Sequence, residues 1–71
     1  MEDKILEIAS IVFDLDKVYL NINMSRDEIP EWDSLAHIQL ISEIESVFNI
    51  KIPIEDFWKI NSLNQILKYF K

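Results

Sequence analysis

One seven-residue stretch of this sequence, residues 18 to 24, alternates apolar and polar side chains at the period of a β-strand. Val18, Leu20, Ile22 and Met24 fall on one side, with Tyr19, Asn21 and Asn23 between them. No second strand-like segment is available to pair with it. Residues 16 to 32 therefore read as a long connecting loop that sets apolar anchors on a core made of helices. Loops of this length without regular structure are uncommon and often functional.

The rest of the chain repeats at helical spacing. Ile5, Ile8, Ala9 and Val12 recur three and four residues apart, and Glu2 and Asp3 suit the positive end of a helix dipole. A second helix is predicted from Asp33 or Ser34 to about Asn49. Ala36, Leu40, Ile41, Ile44, Val47 and Phe48 fall in one broad arc of it, with Ser34, Gln39, Ser42, Glu45 and Ser46 on the other side. Leu35 and Ile38 break the pattern: they lie at the edge of the polar side and flank Ser34. Pro53, followed by acids and aromatics, predicts a short third helix near residues 54 to 59. Ser62 with Gln65 matches a capping box, opening a last helix with Leu63, Ile66, Leu67 and Phe70 on its apolar face and Lys68 and Lys71 at its end. The expected fold is all-α, a small four-helix bundle with three longer helices, one short third helix and a long loop after the first.

Seventy-one residues suffice for one domain, 1–71. A domain of this size buries only about 60% of its unfolded surface, so it needs a well-packed core. The chain has no glycine, and any left-handed backbone position must fall to Asn or Asp. It has no cysteine and one histidine, which excludes disulfides and thiolate chemistry and argues against a zinc site. A net charge of −6 argues against nucleic-acid binding and suits partners with basic docking surfaces. The acidic, amphipathic N-terminus has neither the basic start nor the apolar run of a signal peptide, and no stretch reaches membrane-span length. A cytoplasmic location without membrane insertion is expected.

One of the six serines raises the functional question, because Ser34 stands between an acid and a leucine at a helix start. The structural reading is a cap, since Ser and Asp oxygens accept the unpaired amides of a helix N-terminus. A catalytic reading pairs Ser34 with His37, three residues on, but the glycine-built turn that exposes a hydrolase serine is absent. His37 itself reads as a surface or boundary residue. A third reading is a phosphate attachment point, because free N–H groups and partial positive charge at the helix start favour an anion there. Leu35 and Ile38 then form an apolar rim beside the modified hydroxyl.

"DSL" opening a second helix, with "HIQLISEIESVFNIKIP" following it, resembles the acyl carrier protein family of phosphopantetheine-bearing domains. The likeness covers nearly the whole chain, with helix, loop, "DSL", apolar helix, "E-x-x-F-x-I-x-I-P", short helix and final helix in family order. The resemblance implies a bundle of acyl-carrier type with 4'-phosphopantetheine, taken from coenzyme A, on Ser34 and Asp33 beside it. Such a carrier holds an acyl or aminoacyl group as a thioester on the arm and catalyses nothing itself. The partners it implies are a phosphopantetheinyl transferase, an acyl-loading ligase or acyltransferase, and a downstream synthase or acceptor enzyme, met by a monomer. The competing reading is a non-enzymatic helical interaction module of the same fold that is never modified.

Departures from the family pattern bear on the cargo. Glu31 and Trp32 stand where carriers of primary fatty-acid synthesis usually have glycine two residues before "DS", and helix two carries only Glu43 and Glu45 after Asp33. "WDSL" with a histidine three residues after the serine is more similar to stand-alone carriers of specialised pathways. The docking surface implied comprises Leu35, Ile38, Trp32, Glu31, Gln39 and Glu45. Asp27, Glu28 and Glu31 read either as a solvated loop face or as part of that surface. Trp32 reads as a loop residue over one end of the bundle, with contact to a partner or to the arm as the alternative. Phe57 and Trp58 read as core and rim of the short helix, or as walls of a pocket for the acyl chain.

Overall fold

The computed structural model describes residues 1–70, and within them the four predicted helical segments follow one another in order, with two further 3-10 turns in the loop after the first. The first, α1, spans Glu2–Phe13 with Glu2 and Asp3 in its first turn. It ends where Asp14 turns left-handed at φ 55°, letting the Asp14 and Leu15 amides reach back to Ile11 and Ser10 carbonyls. Its buried residues are Ile5, Ile8, Ala9 and Phe13. Phe13 takes the place expected of Val12, which is half-buried, because the end of α1 meets a bulky aromatic partner in the loop.

The second helix, α2, runs Ser34–Phe48 and ends at Asn49, also left-handed at φ 55°. Asp14 and Asn49 are the two positive-φ residues among those described, as the absence of glycine requires. Ala36, Leu40, Ile41 and Ile44 are buried as expected, and α1 packs against this face. Val47 is not: it is 47% exposed. It lies on the flank of the buried arc, about 60° from Ile44 at 100° per residue, and near the helix end little covers that flank.

Between α1 and α2 the chain forms the expected long loop, with one 3-10 turn at Lys17–Tyr19 and another at Arg26–Glu28. Leu20, Ile29 and Trp32 anchor it in the core. The strand-like stretch finds no ladder. Its end makes a single antiparallel bridge, Ser25 to Ser62, supported by Arg26 N–H on Asn61 O (2.7 Å) and Leu63 N–H on Met24 O (3.2 Å).

The third segment, Ile54–Lys59, and the fourth, Leu63–Tyr69, are both wound as 3-10 helix. The last helix is thus tighter than its sequence suggests, and the Ser62 capping box does not form. The Ser62 hydroxyl donates to Asn64 Oδ1 (2.8 Å), while Gln65 Oε1 accepts from the Asn61 amide, one residue earlier than the box requires. In a 3-10 helix residues three apart eclipse, so Leu63 and Ile66 share the buried side while Leu67 and Phe70 are only half-buried. Lys71 lies outside the described residues.

Candidate functional site

The start of α2 is built by three neighbours with three different tasks. Asp33 is the cap: its Oδ1 accepts from the Ala36 amide at 2.9 Å, and its carbonyl accepts the His37 amide at 2.8 Å. Ser34 is the first helical residue and is exposed, and the capping bond is not its own. Its hydroxyl therefore faces solvent at the positive end of a fifteen-residue helix, where a phosphodiester is electrostatically favoured. Leu35 and Ile38, 65% and 44% exposed, flank it as the rim expected.

Trp32 contradicts its expected place on the docking surface. It is only 3% exposed, packed on Phe13 with ring centroids 5.4 Å apart. A buried indole needs an acceptor for its N–H, and Trp32 Nε1 finds it at His37 Nδ1, 3.0 Å away. His37 is likewise no surface or boundary residue but fully buried, its Nε2 2.7 Å from the Phe57 carbonyl. Burial is the main reason its pKa lies below the usual histidine value; the Phe57 hydrogen bond opposes the shift and nearby Arg26 adds to it. With both ring nitrogens engaged, neither is available to take a proton from Ser34. The Ser34/His37 hydrolase reading fails on that geometry. A signal for the burial was present: at 100° per residue His37 lies about 20° from Ile44, the middle of the buried arc.

Arg26, not singled out by the sequence, completes the cluster. Its Nε donates to the Trp32 carbonyl at 3.0 Å and its guanidinium lies over the Trp58 ring, 5.9 Å from the centroid. Glu31 and Gln39 are exposed, as a docking role requires. Glu45 is half-buried and Oε2 accepts from the Ile52 amide at 2.8 Å, so it serves the fold at the far end of α2. A depression of about 390 Å³ opens there between Glu45, Lys51, Ile52, Pro53, Ile54 and Phe57. Trp58 does not line it; it is 54% exposed and stacks on His37 at 4.9 Å. Among the described residues no group of acids and histidine could hold a metal ion, and no helix is long and apolar enough to cross a membrane.

A small all-helical fold that displays one serine on a separately capped helix start has the form of a carrier domain. A family model described as "phosphopantetheine attachment site" matches residues 32–70, and the chain belongs to that family. It is 50% identical over 38 residues to a D-alanyl carrier protein of Streptococcus equi subsp. zooepidemicus, a match covering 51% of this chain and 48% of that protein. The matched region thus spans about half the length of those streptococcal relatives. The D-alanyl carrier protein of Listeria innocua is 34% identical over 55 residues, 78% of this chain and 70% of that one. The acyl carrier protein of Rickettsia typhi is 28% identical over 71 residues, all of this chain and 83% of that one. In structure the chain is similar to the holo acyl carrier protein of Geobacter metallireducens, with TM-score 0.80 and 30% identity, over 94% of this chain and 77% of that one.

Proposed function

We propose that residues 1–71 act as one carrier domain whose Ser34 hydroxyl, losing its proton, accepts 4'-phosphopantetheine from coenzyme A as the pyrophosphate bond breaks and adenosine 3',5'-bisphosphate leaves. The observation that carries this reading is the division of labour at the helix start: Asp33 caps, leaving Ser34 exposed and unencumbered inside the matched region. When attached, the arm supplies a terminal thiol on which an acyl or aminoacyl group travels as a thioester. The chain's own residues do the rest by position. Helix amides beside Ser34 hold negative charge, Asp33 keeps those amides aligned, and Leu35 and Ile38 offer apolar contact to visiting enzymes. Catalysis belongs to the partners: a phosphopantetheinyl transferase, a loading ligase or acyltransferase, and a synthase or acceptor enzyme, all in the cytoplasm.

Docking charge is denser ahead of the helix than along it. Asp27, Glu28 and Glu31 are exposed in the loop, Glu28 with one oxygen on the Ser25 amide (2.8 Å), whereas α2 offers exposed Glu43 and a half-buried Glu45 bonded to the Ile52 amide. A partner's basic residues are thus steered to the loop, a pattern that suits a specialised pathway. Intact mass after incubation with coenzyme A and a broad-specificity transferase tests the reading. One pantetheine adduct on the native chain and none on Ser34→Ala is the expected result. A native chain that gains no adduct leaves the unmodified interaction module as the better account. The mass of the loaded species isolated from cells distinguishes an acyl cargo from an aminoacyl one.

A further inference from the structure

Attaching an arm to Ser34 does not require a fully buried histidine three residues later, yet His37 is the buried polar side chain of the described core. Both tryptophans of the chain touch its ring: Trp32 at 6.0 Å and 21°, Trp58 at 4.9 Å and 22°. Phe57 meets it edge-on at 5.2 Å. An indole N–H can only donate, so His37 Nδ1 must present a lone pair to Trp32. The ring proton is then on Nε2, which donates to the Phe57 carbonyl. One neutral imidazole thereby ties three parts together: the loop through Trp32 and Arg26, α2 through its own backbone, and the third segment through Phe57 and Trp58.

We propose that His37 is a positioning residue for Ser34: its neutral ring latches Trp32, and with it the turn presenting Asp33 and Ser34, onto the third segment, and protonation opens that latch. The inference rests on Ser34 being the attachment point. Protonation places an N–H on Nδ1 facing the Trp32 N–H, two donors 3.0 Å apart with no acceptor between them. It also buries a charge, and the surroundings offer little to offset it. From the loop comes Arg26, itself positive. Asp33, the cap of α2, has its carboxylate on the Ala36 amide, and Asp56 on the third segment accepts from the Tyr69 hydroxyl at 3.0 Å. Lys59 on that segment is exposed, and α1 contributes Phe13, which is uncharged, against Trp32. The folded state thus binds its proton at lower pH than the unfolded chain. The stabilisation is complete above the unfolded value of 6.5 and is lost as pH falls through the lower folded value.

Tryptophan emission reports protonation of the His37 ring, because imidazolium quenches a neighbouring indole and both indoles touch this ring. The experiment follows emission and far-UV circular dichroism of the full chain from about pH 8 down to the onset of acid unfolding. Alongside, one transferase modifies the native chain and His37→Gln, and the ratio of the two kcat/KM values at each pH cancels the transferase's own profile. Glutamine can replace both hydrogen bonds but does not titrate. The expected result is a single fall in native emission below pH 6.5 with the helical signal intact, matched by a fall in the ratio. His37→Gln emission stays flat. Native emission that stays flat, a ratio constant through the emission step, or helix lost together with emission each overturns the latch. If His37→Gln does not fold, the native Trp32 Nε1–H proton resonance decides: it moves upfield through the same step, and a resonance that stays put overturns the proposal. Failure of the native chain to accept pantetheine even at neutral pH sinks the Ser34 reading and the positioning role with it. Normal transfer with a flat ratio sinks only the latch.

Discussion

The two ends of α2 are held by different means. At its start, side chains lock the backbone: Trp32 is clasped by Phe13, His37 and Arg26, and Asp33 closes the first turn. At its end, backbone conformation does more of the work, beside one edge-on packing of Phe48 against Phe70 with centroids 4.5 Å apart. Asn49 turns left-handed, Glu45 reaches the Ile52 amide, Val47 is open to solvent, and a depression follows. The serine sits at the locked end. On the proposed function, a hydroxyl that a transferase must find, and that must then display a long flexible arm, gains from a fixed origin. The opposite end has no such demand on it.

Removing the clasp is the severest way to break this asymmetry. Trp32→Ala is expected to cost about 3–5 kcal/mol, the usual range for deleting a buried large aromatic. A domain this small has a total stability of only about 4–10 kcal/mol, so denaturant titration followed by circular dichroism should find a large part of it gone. Trp32→Phe keeps the packing on Phe13 but leaves His37 Nδ1 without its donor, and about 1–3 kcal/mol is expected from that orphaned acceptor. Equal losses for the two variants dissolve the distinction between packing and hydrogen bonding at this end.

How much of that clasp the sequence disclosed follows from physics. Helix positions, the long loop, Asp and Asn at the left-handed turns and the Leu35–Ile38 rim all follow from periodicity and residue type. Those rules depend on local spacing, which a single chain displays in full. The Trp32–His37–Arg26 cluster depends on which loop residue folds back over α2, and no spacing rule encodes that. His37 sat in the buried arc, but a titratable residue is usually assigned to the surface by default. The 3-10 winding of the last segment was hidden for a related reason. Ser62 and Gln65 spell a capping box, yet their side chains bond Asn64 and Asn61 instead, where the chain also makes its tertiary bridge to Ser25.

The caps sharpen the comparison at lower cost. Asp33→Ala is expected to lose about 1 kcal/mol by thermal unfolding, the typical value of an N-cap. Because Ser34 is the next residue, its transfer rate should fall by more than that stability change explains. Glu45→Ala removes a bond that water can partly replace at a half-buried site, and about 0.5 kcal/mol is expected, with transfer at Ser34 unchanged. A Glu45 variant that slows transfer as much as the Asp33 variant does contradicts the separation of the two ends.

The smallest effect on stability carries the most information about partners. Leu35 lies opposite the buried arc, about 180° from Ile44 at 100° per residue and so in the middle of the polar side rather than at its expected edge, and Ile38 is its neighbour on the exposed side. Replacing either with alanine removes little packing, and unfolding free energies should stay within about 0.5 kcal/mol of the native chain. Transfer should nonetheless slow, chiefly through a raised KM for the carrier, since an apolar anchor at the centre of a contact is worth more than its rim. The acidic loop gives the control. Neutralising Asp27, Glu28 and Glu31 should slow encounter in a salt-dependent way, whereas the loss at Leu35 should persist at high salt. If Leu35→Ala and Ile38→Ala leave KM untouched while the loop variants raise it, recognition lies before the helix, and the exposed pair on its first turns has another purpose.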